Sequence, residues 1–333
     1  MSRLVDAYDL VIFDLDGVVY LIDKPIAGAA EAVKQLRADG TAVAYATNNA
    51  SRRAAAVAEL LTGMGVPAAA GEVLTSAGAS AAMLARELPA GAPVLVVGAA
   101  ALRDEVRDAG LTPVERFEDE PVAVVQGFGP DVGWQLLAEA ALAVRAGAKW
   151  IATNTDRTLP SPRGPLPGNG SLVAVLRTAL NRDPDVVVGK PEPALFTTAA
   201  SLSGAQRPLT VGDRLDTDIE GAVHAGQDSL LVLTGVSGPA DLLNAPRQRR
   251  PTYVGADLSA LFGPADAARI PSPEVTEVGG WRLTRDGSAA VLDGKGEPVD
   301  ALRLLCPAAW EGADLRAGDD AGRRVFDEWN LPA

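Results

Sequence analysis

Asp14, Thr47, Lys190 and Asp213 each stand at the end of a short apolar run: DLVIF (9 to 13), TAVAYA (41 to 46), VVVG (186 to 189) and PLTVG (208 to 212). If these runs are strands of one open parallel sheet, their carboxyl ends share an edge, and that edge is where such sheets bind ligands. Two acids, a hydroxyl and an amine would then converge from distant parts of the chain. A lone Asp or Thr after a strand is often only a turn former or cap. Four such groups together point to a site.

The chemistry these groups could perform is phosphoryl transfer. A phosphate monoester resists attack because its charges repel a nucleophile, so a site needs a metal ion, donors around the phosphoryl oxygens and an in-line nucleophile. Asp14 can be that nucleophile, since a carboxylate forms an aspartyl-phosphate without a histidine to activate it. Asp16, two residues on, can protonate the leaving alkoxide and then, ionised, activate water against the intermediate. Gly17 permits the tight exit that such a turn needs. Asp213 and Asp218 add carboxylate oxygens, the donors that Mg²⁺ prefers. Asp216, just ahead of a helix, reads equally as an N-cap or a site residue.

The single histidine, His224, and the single cysteine, Cys306, narrow the alternatives. Multi-histidine and cysteine-cluster metal centres are excluded, and a Ser-His-Asp or Cys-His arrangement would have to use His224 as its base. His224 sits in a helical pattern and reads as a packing or surface residue. Cys306 reads as a small buried hydrophobe.

The ordered set Asp14-Leu15-Asp16-Gly17-Val18, Thr47-Asn48-Asn49, Lys190-Pro191 and Gly212-Asp213-Arg214-Leu215-Asp216-Thr217-Asp218 resembles the four motifs of the haloacid dehalogenase-like phosphatases. The resemblance covers about residues 8 to 262. An insertion between the second and third motifs looks like the large cap of the subgroup holding p-nitrophenylphosphatase-like, phosphoglycolate and glycerol-3-phosphate phosphatases. The resemblance extends most closely to actinobacterial glycerol-3-phosphate phosphatases with an extra C-terminal segment that looks like a fragment of an acetyltransferase fold.

That resemblance implies roles residue by residue. Mg²⁺ would be bound by the Asp14 carboxylate, the Asp16 carbonyl and the Asp213 carboxylate, with Asp218 holding a metal-bound water. Lys190 would neutralise phosphate charge and steady Asp14, while Thr47 and the backbone amides of Asn48 and Asn49 would bind phosphoryl oxygens. The loop carrying Asn154, Asp156 and Arg157 would select the substrate, although Asn and Asp in such a Gly- and Pro-punctuated segment also serve simply as turn formers. Glycerol 3-phosphate, 2-phosphoglycolate and pyridoxal 5′-phosphate share the phosphoryl group, so discrimination rests on the cap. A phospho-receiver or a phosphoryl-transferring mutase is a competing reading. A homodimer through the cap is also implied.

The elements that must position these residues alternate between strand-like and helical patterns, the signature of an α/β fold: a Rossmann-like parallel sheet with an inserted α/β cap and a small C-terminal α+β extension. The expected division is a discontinuous core (1–76 and 187–265), a cap (77–186) and an extension (272–333). The core begins with strand 9 to 13, a helix ending at Gly40, strand 41 to 47, and a helix for which Ser51 is the expected N-cap. The insert has its own alternation through VLVVG, LRDEVRDAG, VAVVQGF, a helix at Trp134 to Ala146, and KWIATN. The core then resumes with VVVGK. Residues 264 to 275 read as a linker, and WRLTR and AAVLDG across DGS read as a hairpin. Tryptophans in the tail suggest a core of its own or docking on the parent.

Composition bounds the partners. The 333 residues suit about two domains. Lys and Arg number 30 against 43 Asp and Glu, a net charge of −13. An acidic chain is a poor nonspecific binder of nucleic acid or anionic membrane, so a small phosphorylated metabolite, drawn by local cations, is the expected partner. No apolar run approaches the roughly 18 residues of a membrane span, and the short polar start leading straight into a strand-like run gives the expectation of no secretory signal. A soluble cytoplasmic protein is expected.

Overall fold

The computed structural model describes residues 2–331 except Asp23 and Pro160. Met1, Pro332 and Ala333, the ends of the expected terminal ranges, lie outside it. Contacts divide the chain into two compact units: Met1–Leu21 with Pro25–Val43 and Ser203–Ala333, and Ile22–Lys24 with Ala44–Leu202. Both units alternate strands and helices, as the α/β class requires.

In the first unit Leu10–Phe13, Pro208–Gly212, Asp228–Val232 and Tyr253–Gly255 lie side by side in that order, all parallel. Every residue of Leu10–Phe13 is buried, as expected of a parallel strand covered on both faces. The helix Ala29–Ala38 buries Ala29, Ala32, Val33 and Leu36, one stripe at helical spacing. It ends before Gly40, whose φ of 81° lies in the left-handed region.

The C-terminal segment belongs to this unit. Trp281–Asp286 and Ala289–Gly294 pair antiparallel across Gly287, with Glu277–Val278 beside the first and Asp314–Ala317 parallel to the second. Its apolar residues share one core with the parent: Trp281, Leu302, Leu305, Phe326 and Trp329 cluster with Leu215, Leu231, Leu242 and Val254. Trp310 Nε1 donates to the Leu242 carbonyl at 2.9 Å, and the Arg250 guanidinium stacks 4.7 Å from the Trp310 ring. The tail is therefore docked. The expected linker is docked too, because its residues find partners: Arg269 stacks on Tyr253 and donates to its hydroxyl at 2.7 Å, and Ile270 N donates to Thr252 O.

In the second unit Ala42–Thr47, which enters from the first, pairs in parallel with Val73–Thr75. A separate five-stranded parallel sheet runs in the order Val186–Val187, Lys149–Ala152, Ala123–Gln126, Pro93–Val97, Thr112–Val114. Val94 and Val96 face one core, Leu95 and Val97 the other, the period-two alternation of a strand with two buried faces.

Two local expectations change. Val186–Val187 pairs with Ile151 and Ala152, so the run before Lys190 is an edge strand of the five-stranded sheet and not a strand of the parent. Ser51 does not cap the following helix, which is Ala54–Gly63 with Arg53 at its N-cap. The Ser51 N–H and hydroxyl instead donate to Asn49 Oδ1 at 2.8 and 2.9 Å. Among the described residues no helix is long and apolar enough to cross a membrane.

Candidate active site

Asp14 and Asp213 come together because their strands are parallel neighbours. Phe13 is in register with Val211, and Asp14 N extends the ladder by donating to Val211 O at 2.9 Å. Each acid thus leaves its strand at the same edge. Asp218 joins them from the turn Leu215–Ile219 that leads into Glu220–His224. One carboxylate oxygen from each of Asp14, Asp213 and Asp218 lies within 4.8 Å of the other two.

A loop missed in the sequence braces this trio. After Asp228–Val232, Val236 N donates to Asp213 Oδ2 at 2.7 Å and Ser237 N to Asp213 O at 3.0 Å. The Ser237 hydroxyl accepts from Leu215 N at 3.0 Å, and Thr234 Oγ1 donates to Gly17 O at 2.6 Å. Glycines make the closeness possible: a Cβ at Gly17 or Gly235 would collide with the Asp213 carboxylate, and one at Gly212 with Asp218. Gly17 also has a φ of 85°, which an L side chain rarely adopts. The signal for this loop in the sequence is Gly235 directly after a strand.

The trio fits a magnesium ion. Asp213 and Asp218 are buried and Asp14 nearly so, and three carboxylates this close repel one another strongly unless a cation sits among them. The donors are all oxygen, as Mg²⁺ requires, and Arg214 N steadies Asp218 by donating to Oδ2 at 3.1 Å. Asp216 is not the N-cap, since the helix that follows lacks a side-chain cap; its exposed carboxylate pairs with the Arg214 side chain at 3.1 and 3.0 Å. Asp16 is partly buried, with its backbone bridged to Tyr20. His224 is exposed on its helix, and Cys306 is wholly buried, which pushes its thiol pKa up.

The other expected groups assemble within the second unit. Thr47 is buried opposite Thr75, and its hydroxyl accepts from Asn49 N at 3.1 Å. Lys190 is 3% exposed, and its N–H donates to Asn48 Oδ1 at 2.7 Å. Asp156 lies against Asn48, which donates to both its carboxylate oxygens at 3.3 and 3.1 Å. Asn154, expected to meet the substrate, is bonded into the protein. It is 4% exposed; its amide nitrogen donates to Asn48 O at 2.6 Å and its oxygen accepts from Asp156 N at 3.2 Å. Its side chain ties the loop to Asn48 through both ends of the amide. Arg157 is exposed, while its carbonyl is held by Gly168 N and Ser171 Oγ.

The sequence matches the haloacid dehalogenase-like hydrolase family over residues 11–112 and a HAD-hydrolase-like family over 187–261. It is 44% identical to the D-glycerol 3-phosphate phosphatase of Mycobacterium tuberculosis, over 99% of this chain and 96% of the relative. The chain belongs to the haloacid dehalogenase-like hydrolases. Within that family it is 36% identical to the acid sugar phosphatase of Staphylococcus aureus, over 76% of this chain and 96% of that protein. The crystal structure of the M. tuberculosis glycerol phosphate phosphatase in complex with magnesium covers all of both chains at a TM-score of 0.92. The 4-nitrophenylphosphatase of Thermotoga maritima, 31% identical, covers 78% of this chain and 98% of its own, at 0.72. Residues 278–331 match a GCN5-related N-acetyltransferase-like domain.

Proposed function

We propose that this haloacid dehalogenase-like hydrolase is a Mg²⁺-dependent phosphomonoesterase acting on glycerol 3-phosphate. The observation that carries the reading is Asp14, at a strand end, with Asp213 and Asp218 in one cluster of carboxylates. Similarity over nearly the whole length to a D-glycerol 3-phosphate phosphatase supports the substrate.

In this reading Asp14 attacks phosphorus, the P–O bond to the alcohol breaks, and the phosphoryl group is carried on the Asp14 carboxylate. Asp16 gives its proton to the departing alkoxide and then takes one from the water that attacks the aspartyl-phosphate, releasing inorganic phosphate and restoring Asp14. Mg²⁺, bound by Asp14, Asp213 and the Asp16 carbonyl with Asp218 behind a water, offsets charge on the phosphoryl oxygens. The Val236 and Ser237 N–H groups keep Asp213 aimed. Thr47, the Asn48 and Asn49 amides and Lys190 take the remaining phosphoryl oxygens.

Residues 77–186 act as the cap and 272–333 as a structural extension. A homodimer through the cap belongs to the same reading, supported by Trp134, 80% exposed, with Leu142 and Val175 also exposed. The test is phosphate release, with Mg²⁺, from glycerol 3-phosphate, 2-phosphoglycolate, pyridoxal 5′-phosphate and p-nitrophenyl phosphate, compared as kcat/KM. A different preferred ester refutes the substrate; no release from any refutes the activity.

A further inference from the structure

Asn48 occupies the centre of the polar cluster in the second unit. Its side chain spans two segments far apart in sequence. The oxygen accepts from Lys190 N at 2.7 Å, while Nδ2 donates to Lys190 O at 3.1 Å and to the Asp156 carboxylate. Its own carbonyl accepts from Ser76 Oγ at 2.7 Å and from Asn154 Nδ2 at 2.6 Å. Asn154 Oδ1 in turn accepts from Asp156 N, so Asn48, Asn154 and Asp156 close a ring.

The surroundings are shaped to hold that ring. A Cβ at Gly189 would collide with Asn48 Oδ1, so the residue before Lys190 must be glycine for the amide to reach the backbone. Gly170 N and Gly168 N hold the carbonyls of Asp156 and Arg157, and a Cβ at Gly168 or Gly170 would strike the 155–158 backbone. One acceptor and two donors on a short side chain are what Lys190 N, Lys190 O and Asp156 together demand, and asparagine is the residue that offers them at this length.

We infer that Asn48 is a positioning residue that ties the Lys190 backbone to the Asn154–Arg157 loop, so that the group meeting the phosphoryl oxygens and the loop meeting the leaving group hold one geometry. Asp156 then acts on substrates through Asn48 as the far end of this clamp. The inference rests on the function proposed above for Lys190 and on the expected place of the loop at the leaving group. It goes beyond that reading in giving the Asn48 side chain a task separate from its backbone amide.

A reciprocal exchange tests it. Asn48→Asp keeps the acceptor for Lys190 N but removes the donor to Lys190 O and sets a carboxylate against Asp156. Asp156→Asn keeps an acceptor there, and the double variant exchanges donor and acceptor at the 48–156 contact while leaving Lys190 O without its side-chain donor. With saturating Mg²⁺, Asn48→Asp should lower kcat/KM for glycerol 3-phosphate by about a hundredfold, the range for a buried hydrogen bond to a charged group. Asp156→Asn alone should cost less. Asn48→Asp combined with Asp156→Asn should recover to within about tenfold of the parent, a coupling of the size seen for groups in one network. Losses that simply multiply in the double variant overturn the clamp. Amide hydrogen exchange without substrate reads the same clamp independently of activity. In Asn48→Asp repulsion from Asp156 should draw the side chain off Lys190, so that Lys190 and residues 154–157 exchange faster together, and the double variant, which removes that repulsion, should protect both segments again in large part. If either segment exchanges as in the parent, the coupling is absent, even should the enzyme prove to hydrolyse some other ester.

Discussion

The Asp213 carboxylate fills the space where the Cβ of any residue other than glycine at position 235 would stand. The same loop brings Val236 N to Asp213 Oδ2, so the glycine leaves room for the carboxylate and the next amide binds it. Gly235→Ala should therefore displace a metal ligand without touching the nucleophile. The expected result is a Mg²⁺ requirement raised at least about tenfold, with kcat largely recovered at high Mg²⁺. A Mg²⁺ titration that matches the parent would show that Asp213 does not depend on this loop.

Asp14→Asn should abolish turnover while leaving the fold intact, because the amide is nearly isosteric yet a poor nucleophile. Asp16→Asn should be slow for another reason: without its carboxyl the leaving group departs poorly and the aspartyl-phosphate persists. Trapping phosphate on Asp14 by rapid acid quench and peptide mass measurement distinguishes the two. Near-normal turnover in Asp14→Asn would end the covalent mechanism.

Cys306 offers a clean probe of the docked tail, being the single cysteine and wholly buried. The parent should resist alkylation until unfolded. Phe326→Ala removes a fully buried ring from the core shared with Leu242 and Val254 and should cost about 3–5 kcal/mol in denaturant unfolding, with faster Cys306 labelling. Removal of residues 272–333 should leave Leu242, Leu243 and Trp310's partner carbonyl exposed and the remainder aggregation-prone. A truncated chain that stays monodisperse with unchanged kinetics would make the tail dispensable.

The strand ends were legible in the sequence where apolar runs of four or more residues ended in an acid or hydroxyl, as at Asp14, Thr47 and Asp213. Strands of three residues, Val73–Thr75 and Tyr253–Gly255, carry too little period to register. Val186–Val187 reads as a strand, but its sheet depends on pairing with Lys149–Ala152, a partner that a local pattern cannot name. The brace around Asp213 is made by the Val236 and Ser237 backbones, and backbone donors have no residue signature beyond the glycine that lets them approach. Asn154 and Asp156 were legible as polar loop residues. Whether they face substrate or each other is set by Asn48, more than a hundred residues earlier.

Arg157 and Asn154, three residues apart in one loop, should fail in different ways. Arg157 is exposed and its carbonyl is held by Gly168 N and Ser171 Oγ, so truncating its side chain leaves the loop backbone held. Asn154 is buried and bonded through both ends of its amide, so Asn154→Ala leaves Asn48 O and Asp156 N without these partners and loosens the loop itself. If Arg157 meets the part of the substrate that differs between esters, Arg157→Ala should change preference between glycerol 3-phosphate and p-nitrophenyl phosphate by about ten- to hundredfold, with little change in unfolding midpoint. Asn154→Ala should instead depress both esters by a similar factor and lower stability by about 1–3 kcal/mol, the cost of leaving the Asp156 N–H without its acceptor while Asn48 O keeps only Ser76 Oγ. Measuring kcat/KM for both esters beside denaturant unfolding separates the cases. A shifted preference in Asn154→Ala with unchanged stability would return Asn154 to the substrate and remove it from the loop's internal scaffold.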